Sequence, residues 1–115
     1  MSDAYAYFED LAAEAPIPAR GIHSQTVSRD GGLELVLFAF AAGEGLSEHT
    51  SARPAIVHVL SGEAELTFWE DRHPAHAGTW ARMPARLPHS IVAQTPLVMA
   101  LYLLPVEASA GEDAR

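Results

Sequence analysis

The chain contains no cysteine. That excludes disulfides, thiolate metal sites and a cysteine nucleophile, and it leaves histidine, carboxylate or water to hold any metal. Positive charge is also scarce. Seven Lys plus Arg stand against 15 Asp plus Glu, a net charge of −8 with His neutral. A surface this acidic is repelled by phosphate backbones, which argues against a nucleic-acid partner. No stretch approaches the roughly 20 apolar residues of a membrane span, so no membrane partner is expected. The opening MSDAYAYFEDLAAEAP lacks a basic region and carries Asp3, Glu9 and Asp10. It does not read as a secretion signal, and with the missing cysteine it suggests a cytoplasmic location. No G-x-S-x-G, Ser-His-Asp arrangement or phosphate-cradling glycine loop is found; Gly43 and Gly45 bracket Glu44 in what reads as a turn.

What is present is enough for one packed domain: 115 residues, 49% of them hydrophobic. Tyr5, Phe8, Leu11, Ala12 and Ala15 fall at helical spacing, with Asp3 placed to cap and Pro16 and Pro18 to stop. This predicts a short amphipathic helix over about 4–14, too short to stand without packing on the body or on another subunit. From Gly21 the pattern changes to strand and turn. RDGG is a hairpin turn leading into a buried strand, LELVLFAF. AAGEGLSE reads as a loop, AIVHVL and EAELTFW as strands, and EDRHPAHAG as a polar turn. TWARM, HSIVAQ and LVMALYLL complete the strands. Many short strands with turns every eight to twelve residues predict an all-β sandwich or barrel. The expected layout is a helical segment over 1–20, a β-barrel over 21–106 and a polar tail over 107–115.

The turn residues carry a longer pattern. Gly43, His49 and Gly62 fit G-x5-H-x-H-x3-E-x6-G, with Ser51 at the second His position and Ala55 at the Glu position. Gly78, Pro84 and His89 fit G-x5-P-x-G-x2-H-x3-N, with Arg86 at the inner Gly and Ala93 at the Asn. In these features the chain resembles the small single-domain cupins, and its wording is similar to a group of small bacterial members. The resemblance covers about residues 33–104. It implies a jelly-roll (double-stranded β-helix) barrel and a pocket in its interior. In that family the two His and the Glu of the first motif and the His of the second hold one metal. Here His49 and His89 keep ligand positions, while Ser51 and Ala55 offer little or nothing.

A catalytic site of this kind wants at least three protein ligands and an open position. Two imidazoles would hold one divalent iron, manganese, zinc or nickel ion weakly, or none. His58 could supply a third nitrogen, but strand alternation puts it on the face opposite Ala55, Val57 and Val59. His73 and His76 read as an exposed hairpin tip. His23 reads as exposed or structural, unless the N-terminal segment folds over the barrel mouth. Further pocket candidates are Ser51, Ala55, Val57, Arg53, Arg86, Met83 and Tyr102. Arg53 could meet an anionic ligand or simply pair with an acid, and Arg86 could close over the barrel mouth and bind a carboxylate bidentately, although an exposed loop arginine is the commoner outcome. Glu48 could orient His49 or act as a base. One of the sets Met99/Leu101/Leu103 and Ala100/Tyr102/Leu104 faces inward, and the sequence does not choose between them.

Three functions are compatible with these residues. The barrel could bind a small molecule in its interior, with or without a divalent metal held by His49 and His89. It could be a metal-dependent oxygenase, isomerase or lyase acting on a small polar substrate. It could be a metal-free sensor or accessory subunit. A homodimer is expected, because an edge strand needs cover.

Overall fold

The computed structural model describes residues 4–106. The expected cap at Asp3 and the expected polar tail lie outside the described residues. Nine strands run in chain order: β1 Ile22–Asp30, β2 Leu33–Phe40, β3 Gly45–His49, β4 Ala55–Ser61 and β5 Glu63–Phe68, then β6 Asp71–His76, β7 Trp80–Met83, β8 His89–Ala93 and β9 Leu97–Leu103. They form two antiparallel sheets, a five-stranded one in the order β1-β2-β9-β4-β7 and a four-stranded one in the order β3-β8-β5-β6. This is the all-β jelly roll that the turn pattern predicts.

Alternation along the strands sorts the apolar residues into two cores. The space between the sheets takes Phe40, Val57, Val59, Leu66, Ile91 and Met99, with Leu101 and Leu103 packed on them. The outer face of the five-stranded sheet takes Leu35, Leu37, Ala39, Val98 and Ala100, covered in part by Leu11, Ala12 and Ala15. From Leu35 to Phe40 β2 is continuously apolar, because there both its faces are buried or half-buried. Within β9, Met99, Leu101 and Leu103 are the inward set, and Tyr102 packs on the outer core.

Two turns show why their glycines stand where they do. Gly31 and Gly32 join β1 to β2 with φ of 60° and 84°, the left-handed pair that matches the twist of a two-residue hairpin. Gly62, at φ 91°, links β4 to β5, and a Cβ there would collide with the carbonyl of Pro96. Conformation and space both require glycine at that position.

Three local expectations are corrected. The helix over 4–14 is reduced to one 3-10 turn, Leu11–Glu14, and the side chain of its capping residue Asp10 makes no cap bond. So short a segment ahead of two prolines gains too little from helix formation, although Leu11, Ala12 and Ala15 still reach the sheet. EDRHPAHAG is not a turn: Asp71–His76 is an edge strand paired with β5 along its whole length. Its polarity is that of an edge facing solvent, where Pro74 is tolerated. His73 and His76 therefore lie on a strand and not at a hairpin tip. The segment read as a loop, AAGEGLSE, contains most of a second edge strand, β3.

Candidate functional site

The site is built on β3 and β8. These strands pair with Leu46 opposite Ile91 and His49 opposite His89. Between those pairs β8 advances two residues and β3 advances three, so β3 carries one extra residue. An extra residue reverses the alternation of a strand. Leu46 and His49, an odd number apart, consequently both line the space between the sheets. Without the bulge, one of them would face solvent.

His49 and His89 meet with ring centroids 4.3 Å apart and planes tilted by 58°. His49 is exposed and His89 half-buried. Each ring is held in the same way. Nδ1 of His49 lies 2.8 Å from the Ser47 carbonyl oxygen, and Nδ1 of His89 lies 2.8 Å from the Leu87 carbonyl oxygen. A carbonyl can only accept, so both Nδ1 atoms carry the proton and donate. In the neutral ring the free lone pair is then on Nε2 in both histidines.

The rings border an open cavity with about 390 Å³ of atom-free space, counting its mouth. Its walls are mostly apolar, with Phe38, Leu46, Phe68 and Leu101 among them and Ser90 beside His89. The lining, mostly apolar with a few polar groups, is of the kind small-molecule sites have, while the room inside the walls is small, about 50 Å³.

Four of the residues singled out from the sequence line this cavity: His49, His89, Val57 and Met83. The other five do not. Ala55 is buried in the inner core opposite Met83. The Ser51 hydroxyl accepts from the Arg53 backbone N–H at 3.2 Å. Tyr102 lies on the outer face with Leu35 and Phe8, because alternation turns it away from Leu101. Arg53 is committed to structure. Its guanidinium donates to the carbonyls of Leu104 (3.0 Å), Leu103 (3.2 Å) and Gly32, and it pairs with Glu34 at 3.4 Å. The Arg86 side chain is exposed in the loop before β8. His58 shares the outward parity of Ile56 and Leu60, opposite Ala100 of the outer core. His23 borders a separate shallow groove with Ala15 and Pro16. Leu46, Ile91 and Ser90 were missed as wall residues. Leu66 and Phe68 line the cavity too; they alternate along EAELTFW, a signal that puts them on one face of their strand without saying which face.

The donor set does not fit a resident metal. Each imidazole is oriented as a ligating histidine is, with its second nitrogen on a carbonyl. Among the described residues, however, no three His, Cys, Asp or Glu side chains stand close enough to hold an ion. Two nitrogens fall short of the three or four protein ligands of zinc-type sites.

A two-sheet jelly roll whose open cavity carries this histidine pair defines a class, and the chain belongs to it: the cupin-domain family Cupin_2 matches residues 36–104, more than half of the sequence. Among solved structures it is similar to a conserved protein of unknown function from Streptococcus pyogenes, with 30% identity over 90% of this chain and 91% of that one and a TM-score of 0.79. A cupin superfamily protein from Desulfitobacterium hafniense shares the fold, with 24% identity, 84% and 89% coverage and a TM-score of 0.78. KdgF from Halomonas sp. is 25% identical over 76% of this chain and 82% of that one, with a TM-score of 0.68. No curated protein matches the sequence. Among the described residues no helix is long and apolar enough to cross a membrane.

Proposed function

We propose that this cupin binds a small, largely apolar molecule inside the barrel and anchors it through the Nε2 atoms of His49 and His89. The observation that carries this reading is the paired tether: both Nδ1–H groups are spent on backbone carbonyls, so two acceptors are presented together at an apolar cavity. A ligand that brings a hydroxyl or N–H donor satisfies them, while its body removes apolar wall from water. The same lone pairs suit proton abstraction from a bound ligand, a role that neutral imidazole performs near neutral pH. The shortage of donors counts against metal chemistry, and no step is assigned to a metal.

Cyclohexanol, an apolar ring with one hydroxyl, is the probe. It is expected to raise the thermal midpoint saturably in the wild-type protein and not in the His49→Ala/His89→Ala variant. Undiminished stabilisation of that variant would remove the histidines from the site. Elemental analysis is expected to find no stoichiometric iron, manganese, zinc or nickel. Stoichiometric metal lost on substituting either histidine would overturn the reading.

A further inference from the structure

The register places the histidine pair at one end of the four-stranded sheet. His49 ends β3, His89 begins β8, Phe68 ends β5 and Asp71 begins β6, and these four residues are successive cross-strand neighbours. Whatever follows this row forms the rim of the cavity: the loop after His49, the Trp69–Glu70 turn and the loop from Pro84 to Pro88.

Among the described residues only two that are not glycine have positive φ, and both lie on this rim: Trp69 at 58° and Arg86 at 71°. Bulky side chains rarely hold such angles without compensation, and strained residues gather at ligand clamps. Each is fixed there by its own backbone N–H. Trp69 donates to the Pro88 carbonyl at 2.9 Å, next to His89, and Arg86 donates to the Ser51 carbonyl at 2.7 Å, two residues past His49. Both side chains are nevertheless left in solvent, with Trp69 65% exposed. Arg86 makes no ion pair or side-chain hydrogen bond among the described residues, whereas the other rim arginine, Arg53, is fully engaged. A large apolar side chain and an unspent cation thus stand on the rim segments that flank the histidine pair, at positions where glycine would be easier.

Taking the cavity as a small-molecule site, we infer that Arg86 and Trp69 clamp the outer end of the ligand, and that the ligand is a compact monocarboxylate carrying a hydroxyl or N–H donor. The donor reaches the two Nε2 atoms, the apolar body fills the cavity, and the carboxylate meets the guanidinium under the indole. Glu48, Glu70 and Asp71 stand at the same end of the barrel, and on so acidic a chain they disfavour a more highly charged anion.

The test uses trans-4-hydroxycyclohexanecarboxylate, its carboxamide, and cyclohexanecarboxylate, which lacks the hydroxyl. Binding is read from tryptophan emission in the Trp80→Phe variant, where Trp69 is the remaining one of the two tryptophans. The hydroxy acid is expected to bind about tenfold more tightly than its amide, the size of one charge-assisted contact. Arg86→Gly should bring the acid to the level of the amide without lowering the thermal midpoint, because glycine accepts this backbone conformation. Arg86→Lys should restore part of the preference. Equal binding of acid and amide, or acid binding within twofold of wild type in Arg86→Gly, would overturn the clamp while hydroxyl-dependent binding upheld the cavity. A fall in thermal midpoint alongside lost binding would make the role of Arg86 structural and overturn it too. Failure of all three compounds to bind would sink both readings.

Discussion

Replacing Arg53 with alanine removes a side chain that ties three parts of the barrel together. Its guanidinium reaches the carbonyls of Leu103 and Leu104 at the end of β9, the carbonyl of Gly32 in the β1–β2 turn, and the Glu34 carboxylate on β2. Each bond to a carbonyl contributes about 1 kcal/mol net. The ion pair adds at most about 1 kcal/mol, because both side chains keep roughly a quarter of their surface in water (25% and 23%) and solvent screens them. Water can reach the vacated carbonyls and recovers part of the loss. The expected cost is therefore about 2–3 kcal/mol. For a chain of this length it should lower the thermal midpoint by about 8–12 °C. Urea unfolding followed by far-UV circular dichroism, with the slope unchanged, measures it. Arg53→Lys, which keeps the charge but not the fork of donors, should fall between the two. A cost below about 0.5 kcal/mol would refute this account. Lost anion binding at unchanged stability would return Arg53 to the pocket.

Gly62→Ala should cost about 2–4 kcal/mol in urea unfolding, since positive φ and the Pro96 carbonyl both oppose a Cβ; a cost under about 1 kcal/mol would show that the turn moves freely. Phe40→Ala, emptying a fully buried position between the sheets, should cost about 3–5 kcal/mol by the same measurement. Among the described residues no strand pairs with the outer edge of the nine-residue strand β1, so light scattering is expected to give twice the chain mass of 12.3 kDa. A monomer at high concentration would refute that expectation.

The strands visible in the sequence are those with a buried face. β2, β4, β5 and β9 show runs or alternation because one or both faces meet a core, and their turns carry Gly or Pro. The edges β3 and β6 were hidden for a physical reason: an edge strand in solvent needs no apolar face, and Pro74 costs little where no neighbour awaits its N–H. His49 and His89 were picked out by the resemblance to the cupin motifs, anchored on Gly43, Gly62, Gly78 and Pro84, not by any local feature of the histidines. Of the two readings open for Arg53, pairing with an acid holds, at Glu34, while its other partners are backbone carbonyls up to 51 residues away, which leave no trace in a sequence. The side of β9 that faces inward was undecidable, since Met99 and Tyr102 both suit an interior and only the register against β2 and β4 separates them.

The extra residue in β3 makes the histidine pair depend on a count as much as on chemistry. Deleting Ser47 or Glu48 would leave both histidines in the chain yet swing the His49 ring to the outside of the barrel, separating the pair. Lengthening the same segment by one would do likewise, and by two would restore the phase. Single-residue insertions and deletions in this short strand are therefore a discrete switch between a barrel that keeps both histidines on its cavity and one that does not.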